Sequence, residues 1–342
     1  MSEVGSRQRR RTLIVLGAVA GVCALLGAVS LLPPQQDLPR SEVGQRVLPA
    51  FETKTGLIQL IMVSTEEESY HIVRNSGPGG DQWVLAEKGS YPVSPARIQD
   101  LTQALSAMTY GEAMTRDDRK FDRIGLGDPG VGGTGALLEV GDGNGNSFAK
   151  LIVGFRDGRS YVRKPDDLQA WAVQGAVIPP LQRAARWLDL DVVNVAPADI
   201  VEVDLRPAEG PAYRLVRMPD GGFGLGPPHH QRLVLAALGP KMVAEALSRL
   251  APVDVAPASE IGIGAPLGEY IARTQDGVAI VVRSWRAKER GWVTVSAATA
   301  EGAGPAALKL AADINARAAP WAFGLSELDW GAFSTPLSAI AE

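Results

Sequence analysis

Cysteine is almost missing from this sequence. The single thiol, Cys23, sits inside an apolar N-terminal run, so everything after it lacks cysteine. That excludes disulfides, cysteine zinc sites and cysteine nucleophiles from the folded part. It also suits an oxidising compartment, where a stray thiol is a liability. Histidine is scarce, with three in the chain. A basic surplus is absent as well: 34 Lys and Arg stand against 38 Asp and Glu, giving a net charge of −4. A phosphate backbone would find little to neutralise it, so nucleic acid is not an expected partner. No Gly-x-Ser-x-Gly, P-loop or His-Glu-x-x-His pattern occurs. No pair of carboxylates has a spacing that selects it as acid and base. The expectation is a protein that is not an enzyme and carries no metal or cofactor.

What is present begins with the N-terminus. Arg7, Arg9, Arg10 and Arg11 precede an uncharged run from Thr12 to Leu32, which Pro33 and Pro34 end. At about 1.5 Å rise per residue this run spans a bilayer core of roughly 30 Å. A helix satisfies its own backbone amides, as lipid demands. The reading is a basic cytoplasmic tail over 1–11 and a transmembrane helix over 12–32 in contact with membrane lipid. The arginines hold the leading end in the cytoplasm, so the remaining bulk lies on the far side. The expected location is the cell inner membrane, single-pass, with a periplasmic bulk. A cleaved signal peptide stays open as an alternative: its apolar core is usually roughly 7–15 residues, shorter than this run, but Ala28-Val29-Ser30 is a passable cleavage site. A lipoprotein reading is disfavoured because Val22, not a small residue, precedes Cys23.

With 342 residues, 46% hydrophobic and 21% charged, the chain has a globular composition and room for two domains. Residues 33–56 are polar and proline-bearing and read as a linker. Beyond them the sequence repeats itself. Leu57–Ile61, Tyr70–Arg74 and Gln82–Leu85 are strand patterns, matched by Ile200–Leu205, Tyr213–Arg217 and Gly222–Leu225. A helix follows in each copy. Ser94-Pro95 opens the first, with Ile98, Leu101, Leu105 and Met108 at helical spacing, and Met242, Ala246, Leu247 and Leu250 mark the second. Ile124-Gly125-Leu126-Gly127-Asp128-Pro129 then recurs as Ile261-Gly262-Ile263-Gly264-Ala265-Pro266. Strand patterns come next: Ala136–Val140, Phe148–Val153, Ser160–Arg163 and Trp171–Val173 in one copy, Tyr270–Thr274, Val278–Arg283, Gly291–Ser296 and Trp321–Phe323 in the other. A helix over Ala306–Arg317 is inserted before the last. The expected fold class is α+β: two tandem copies of a β-rich antiparallel unit, 57–190 and 198–340, with one or two helices each. Alternation along the strands is too imperfect to assign buried faces.

The aromatic-x-Leu strand at Trp83-Val84-Leu85, the Ile-Gly-Leu-Gly-x-Pro turn at 124–129, the Gly-Asp-Gly hairpin at 141–143, Val153-Gly154 and Tyr161-Val162-Arg163 together resemble the DUF4340 family. The resemblance covers most of residues 57–335. It implies a membrane-anchored envelope protein with duplicated β-rich domains. Some such proteins are associated with ABC-transporter-type or gliding-motility-type membrane components. The second copy departs at Pro227-Pro228-His229-His230 and at Ala265 in place of Asp128. No catalytic residues come with the resemblance.

Several motifs invite a chemical reading and receive a plainer one. Asp142, Asn144 and Asn146 echo a calcium loop, but Ser147 and Val153 stand where a glycine and a glutamate belong, so a hairpin turn is expected. Gly262, Gly264 and Gly268 make a poor dinucleotide fingerprint, read here as a structural turn. His229 and His230 are neighbours that point apart in an extended chain, and a loop is expected. Glu66–Glu68 and Arg116–Lys120 read as solvated turns. Trp83, Trp171 and Trp321 fall at repeat stations and read as core. Trp285, flanked by Arg283 and Arg286, is the one candidate interaction surface, for a glycan or a protein partner. Two functional expectations follow. One is a non-enzymatic extracytoplasmic scaffold or accessory protein of an envelope complex, with an ABC-transporter-type membrane protein as partner. The other is a polysaccharide- or lipid-binding module using a cleft between the repeats. A hydrolase with an unrecognised site ranks third.

Overall fold

Short apolar runs broken by Gly, Pro and Asp-Gly turns build strands joined by hairpins. The computed structural model describes residues 42–342 except 78–79, 176, 236–238 and 262–263. The tail, the membrane run over 12–32 and the start of the linker lie outside the described residues. Among the described residues no helix is long and apolar enough to cross a membrane.

The first sheet contains β1 (Leu60–Ser64), β2 (Ser69–Gly77), β3 (Gly80–Leu85), β4 (Tyr91–Pro92), β5 (Thr109–Ala113), β6 (Ala136–Gly141), β7 (Ser147–Arg156), β8 (Arg159–Arg163) and β9 (Trp171–Gln174). Their spatial order is β4-β3-β2-β1-β6-β7-β8-β9-β5. The second contains β10 (Ile200–Arg206), β11 (Tyr213–Arg217), β12 (Phe223–Leu225), β13 (Asp254–Pro257), β14 (Gly268–Thr274), β15 (Val278–Ala287), β16 (Arg290–Thr299) and β17 (Trp321–Leu325). Here the order is β12-β11-β10-β14-β15-β16-β17-β13. Every pairing is antiparallel. The two orders are the same when β4, which has no counterpart, is set aside. Two antiparallel sheets with a few helices make the fold α+β.

The helices are α1 (Pro95–Ala107), α2 (Gly239–Ala244), α3 (Ala258–Ile261), α4 (Pro305–Ala318) and α5 (Glu327–Ala332). α1 starts where Ser94-Pro95 predicts, although the Ser94 side chain makes no capping bond. Its Ile98, Leu101 and Leu105 are buried against the first sheet. The helix expected through Leu250 is instead broken. α2 stops at Ala244, whose carbonyl accepts the buried Tyr270 hydroxyl, and a 3-10 turn over Leu247–Arg249 follows. α4 matches the expected inserted helix and is pinned to β16 by Asn315, whose amide pairs with both the N–H and the carbonyl of Ala297 at 2.8 Å.

The stretch read as a linker is folded from Gly44 onward. Gly44 and Val47 donate to the carbonyls of Tyr110 and Met108, and Gln45 accepts from Tyr110, so residues 44–47 satisfy the open edge of β5. Phe51 follows into the core.

Hydrogen-bond register aligns the copies residue by residue. Val63 pairs with Tyr70 and Leu138, and Leu205 pairs with Tyr213 and Tyr270. Trp83 and Phe223 are equivalent, as the sequence pattern suggests. Trp171, however, matches Phe323 rather than Trp321, because each lies opposite the residue after the equivalent Tyr161 or Trp292. Trp171 and Phe323 are buried, whereas Trp321 is half-buried.

One core runs through both sheets. At their junction the ring of Tyr91 meets Trp321 edge-on at 5.0 Å and Phe323 at 6.1 Å. Lys88 pairs with Asp254 at 2.6 Å. A Cβ placed on Gly89 would come within 2.8 Å of Pro257, so the two copies touch without a gap there.

Candidate functional site

On the outer face of the first sheet, the Ile124-Gly125-Leu126-Gly127 turn lies directly on the strands. Gly125 takes a left-handed φ of 71°, which glycine adopts without penalty. Gly154 on β7 lets the turn approach: a Cβ there would sit 2.4 Å from the Gly125 carbonyl oxygen and 2.5 Å from that of Ile124. Leu126 is then fully buried with Phe121, Ile152 and Tyr161. Arg163 is buried under the same turn. Its Nε donates to the Leu126 carbonyl at 3.1 Å, Nη1 donates to the Pro165 carbonyl, and the guanidinium stacks 4.6 Å over Phe121. Burial pushes its pKa below the ordinary arginine value. Asp122 accepts from the Thr134 amide and hydroxyl, and Asp128 accepts from the Gly130 amide. Asp122 and Asp128 are thus engaged within the loop itself, and Arg163 of β8 ties the loop to the sheet, a structural role.

The second sheet places different residues at the same register positions. Trp285 stands where Gly154 does, Arg283 matches Ile152, and Thr294 matches Arg163. The indole N–H of Trp285 points to the Gly264 carbonyl at 3.4 Å. A cavity of about 340 Å³ opens beside Trp285, lined by Ala258, Ser259, Ile261, Thr294 and Ala322.

The three residues singled out from sequence do not form one surface. Neighbours along a strand face opposite ways. Arg283 and Trp285 share the outer face, where Arg283 pairs with Glu269 at 2.9 Å. Arg286 belongs to the inner face. It makes a two-pronged ion pair with Glu327 of α5, at 3.0 and 2.7 Å, and stacks 4.4 Å over Trp330. That pair holds the Glu327 carboxyl below its usual range.

The other motifs resolve into local structure. Asp142 accepts from the amides of Asn144 and Asn146 and from the Asn146 side chain at 2.6 Å, closing the β6–β7 turn. His71 faces Glu87 at 2.6 Å, far along the chain from His229 and His230, which lie in the loop after β12. Among the described residues, no three His, Cys, Asp or Glu side chains gather in a group able to hold a metal.

Sequence reasoning missed two features. On the second sheet Glu202 and Asp204 interlock with Arg214 and Arg273 through contacts of 2.6–3.3 Å. Burial pushes the Asp204 pKa up, but the bonds from Arg273 and Arg214 outweigh it and hold the carboxyl below its ordinary value. The alternation Glu-x-Asp on β10 is the signal that was available. The second is a groove on the first copy, lined by Val153, Phe155, Ser160, Ile178 and Pro179. No local motif marks it, because its walls come from distant segments.

Comparison with known proteins agrees with the pattern of stations. No curated protein and no solved structure matches the chain. A family model described as "Domain of unknown function (DUF4340)" matches residues 83–259, more than half of the 342 residues. The match begins on β3 in one sheet and ends in α3 beside the other, so it takes in the turn and hairpins that carry the resemblance. On that match the chain belongs to the DUF4340 family.

Proposed function

We propose that this chain is a membrane-anchored extracytoplasmic scaffold or accessory protein of an envelope complex, associated with an ABC-transporter-type or gliding-motility-type system, and that it works by binding rather than by catalysis. The anchor rests on the run from Thr12 to Leu32 and the arginines before it. The observation that carries the reading is the joining of two like sheets through one core, with Tyr91, Lys88 and Gly89 packed into Trp321, Asp254 and Pro257. Such a body presents fixed surfaces on a rigid frame, which is what a scaffold needs. The same packing disfavours the alternative, a polysaccharide- or lipid-binding module that uses a cleft between the repeats. The grooves described above are each lined from one copy only.

The test has two stages. The full chain should stay with membranes until detergent is added, and a reporter fused after Glu342 should be active only outside the cytoplasm. Crosslinking in intact membranes should then join the protein reproducibly to one integral membrane protein. Recovery in the soluble fraction without detergent would overturn the anchor. Crosslinks to glycan or lipid alone would favour the alternative.

A further inference from the structure

The internal repeat allows one copy to be used as a template for the other. Phe155 and Arg286 occupy the same register position, and so do their cross-strand partners Ser160 and Gly291. The hairpins agree in length: Arg156 faces Arg159 across Asp157-Gly158, and Ala287 faces Arg290 across Lys288-Glu289. Beyond the hairpin, Tyr70 donates its hydroxyl to the Leu181 carbonyl and Tyr213 donates to that of Thr335. The segments 177–182 and 330–335 therefore cross the same end of their sheets.

In the second copy this place is filled. Trp330 lies on Gly291, where a Cβ would come within 2.2 Å of the indole, and Arg286 covers the ring. In the first copy no described residue fills it. A groove of about 160 Å³ runs between Val153, Phe155 and Ser160 on one side and Val177–Gln182 on the other. That volume is well below the roughly 300–1,000 Å³ of a small-molecule site, and it suits a single side chain. Phe155 is 59% exposed and Val177 is 81% exposed, so two apolar walls face water. Ser160 is only 8% exposed, lines the groove, and its hydroxyl has no partner among the described residues.

We propose that this groove receives a tryptophan side chain from a partner protein, in the position that Trp330 fills in the second copy. An indole is an apolar body with one N–H donor. The groove offers apolar walls and one free hydroxyl to accept it. This chain does not supply the occupant from its undescribed residues, because 1–41, 78–79, 176, 236–238 and 262–263 contain no aromatic residue. The inference rests on the protein-partner reading above and names the partner's chemistry.

The probe is a Gly-Gly-Trp-Gly-Gly peptide with a fluorinated indole, followed by fluorine NMR against the full chain in detergent. Saturable broadening that unlabelled peptide reverses, and that the Trp→Ala peptide does not, is the expected result. Ser160→Trp, which fills the groove from its floor, should abolish binding. Phe155→Ala should weaken it about tenfold, as loss of an interface anchor does. Phe155→Arg should retain it, since Arg286 covers the ring in the second copy. Phe155 is exposed, so its variants fold even if Ser160→Trp does not. No saturable broadening, or equal broadening with Phe155→Ala, would overturn the proposal. In membranes, a photo-crosslinker at Val177 should attach to a tryptophan-bearing peptide of the partner. Crosslinks to a membrane protein from other surfaces with none from Val177 would overturn the groove and leave the scaffold reading intact.

Discussion

Gly154 and Trp285 occupy one register position in two sheets of the same order, and the outer faces differ accordingly. Where the residue is glycine, a turn seats on the sheet and buries Leu126. Where it is tryptophan, the indole N–H points to the Gly264 carbonyl and a cavity opens beside the ring. Gly154→Ala should therefore destabilise the protein by about 1–3 kcal/mol, the usual cost of overpacking, because two backbone carbonyls block the added methyl. Trp285→Ala should cost less than Gly154→Ala, since the ring is half-buried beside a cavity and its loss strains no backbone. Chemical denaturation of both variants checks the contrast, and equal losses would count against the register equivalence.

The buried tyrosines on β2 and β11 have matching roles and unequal surroundings. The Tyr70 hydroxyl donates to the Leu181 carbonyl at 2.7 Å and accepts from the Trp187 indole at 2.8 Å. The Tyr213 hydroxyl makes one hydrogen bond among the described residues, to the Thr335 carbonyl. Burial pushes the pKa of both phenols up, so both are neutral at ordinary pH. Tyr70→Phe leaves a buried N–H and a buried carbonyl without their partner and should cost about 1–3 kcal/mol. Tyr213→Phe strands one part-buried acceptor and should cost less. Thermal melts of the two single variants test the order.

Much of this architecture was legible in the sequence because hairpin strands are local. The β7–β8 and β15–β16 hairpins carry their own turns, and α4 carries its own apolar face. What was hidden depends on distant chain. β5 and β13 are short, lie at sheet edges, and are ordered by pairing with β9 and β17, far along the chain. Imperfect alternation also has a cause: Ile152 and Gly154 are buried on the outer face while Leu151 and Val153 are buried on the inner one, so β7 reads as a continuous apolar run. The surface expected at Trp285 joins residues adjacent in sequence, and strand geometry separates Arg286 from the other two. The groove at Phe155 needs Ile178 and Pro179 to form, so no local pattern announces it.

The turn over the first sheet depends on one buried cation. Arg163 holds the Leu126 and Pro165 carbonyls and stacks on Phe121. Arg163→Met keeps the apolar stem and loses the donors, leaving those carbonyls without their partner. The expected loss is about 2 kcal/mol, within the range for hydrogen bonds to charged groups. Hydrogen exchange should localise the effect to residues 121–135, with the second sheet unchanged. Uniform loss of protection would show instead that the turn and both sheets open together.

The ion lattice on the second sheet predicts a pH response of definite sign. Asp204 is held below its ordinary pKa by Arg273 and Arg214 once its burial is overcome. The unfolded carboxyl binds protons more readily than the folded one. The stabilisation is therefore whole above the unfolded value of about 4 and is lost as pH falls through the folded value. Asp204→Asn removes the titrating group while keeping the shape. The variant should be less stable than the parent at neutral pH, and the difference should shrink as the solution is acidified below pH of about 4. Parallel melts across that range decide it: a gap that stays constant with pH would mean that the two arginines stabilise β10 through packing of their stems, not through the charge on Asp204.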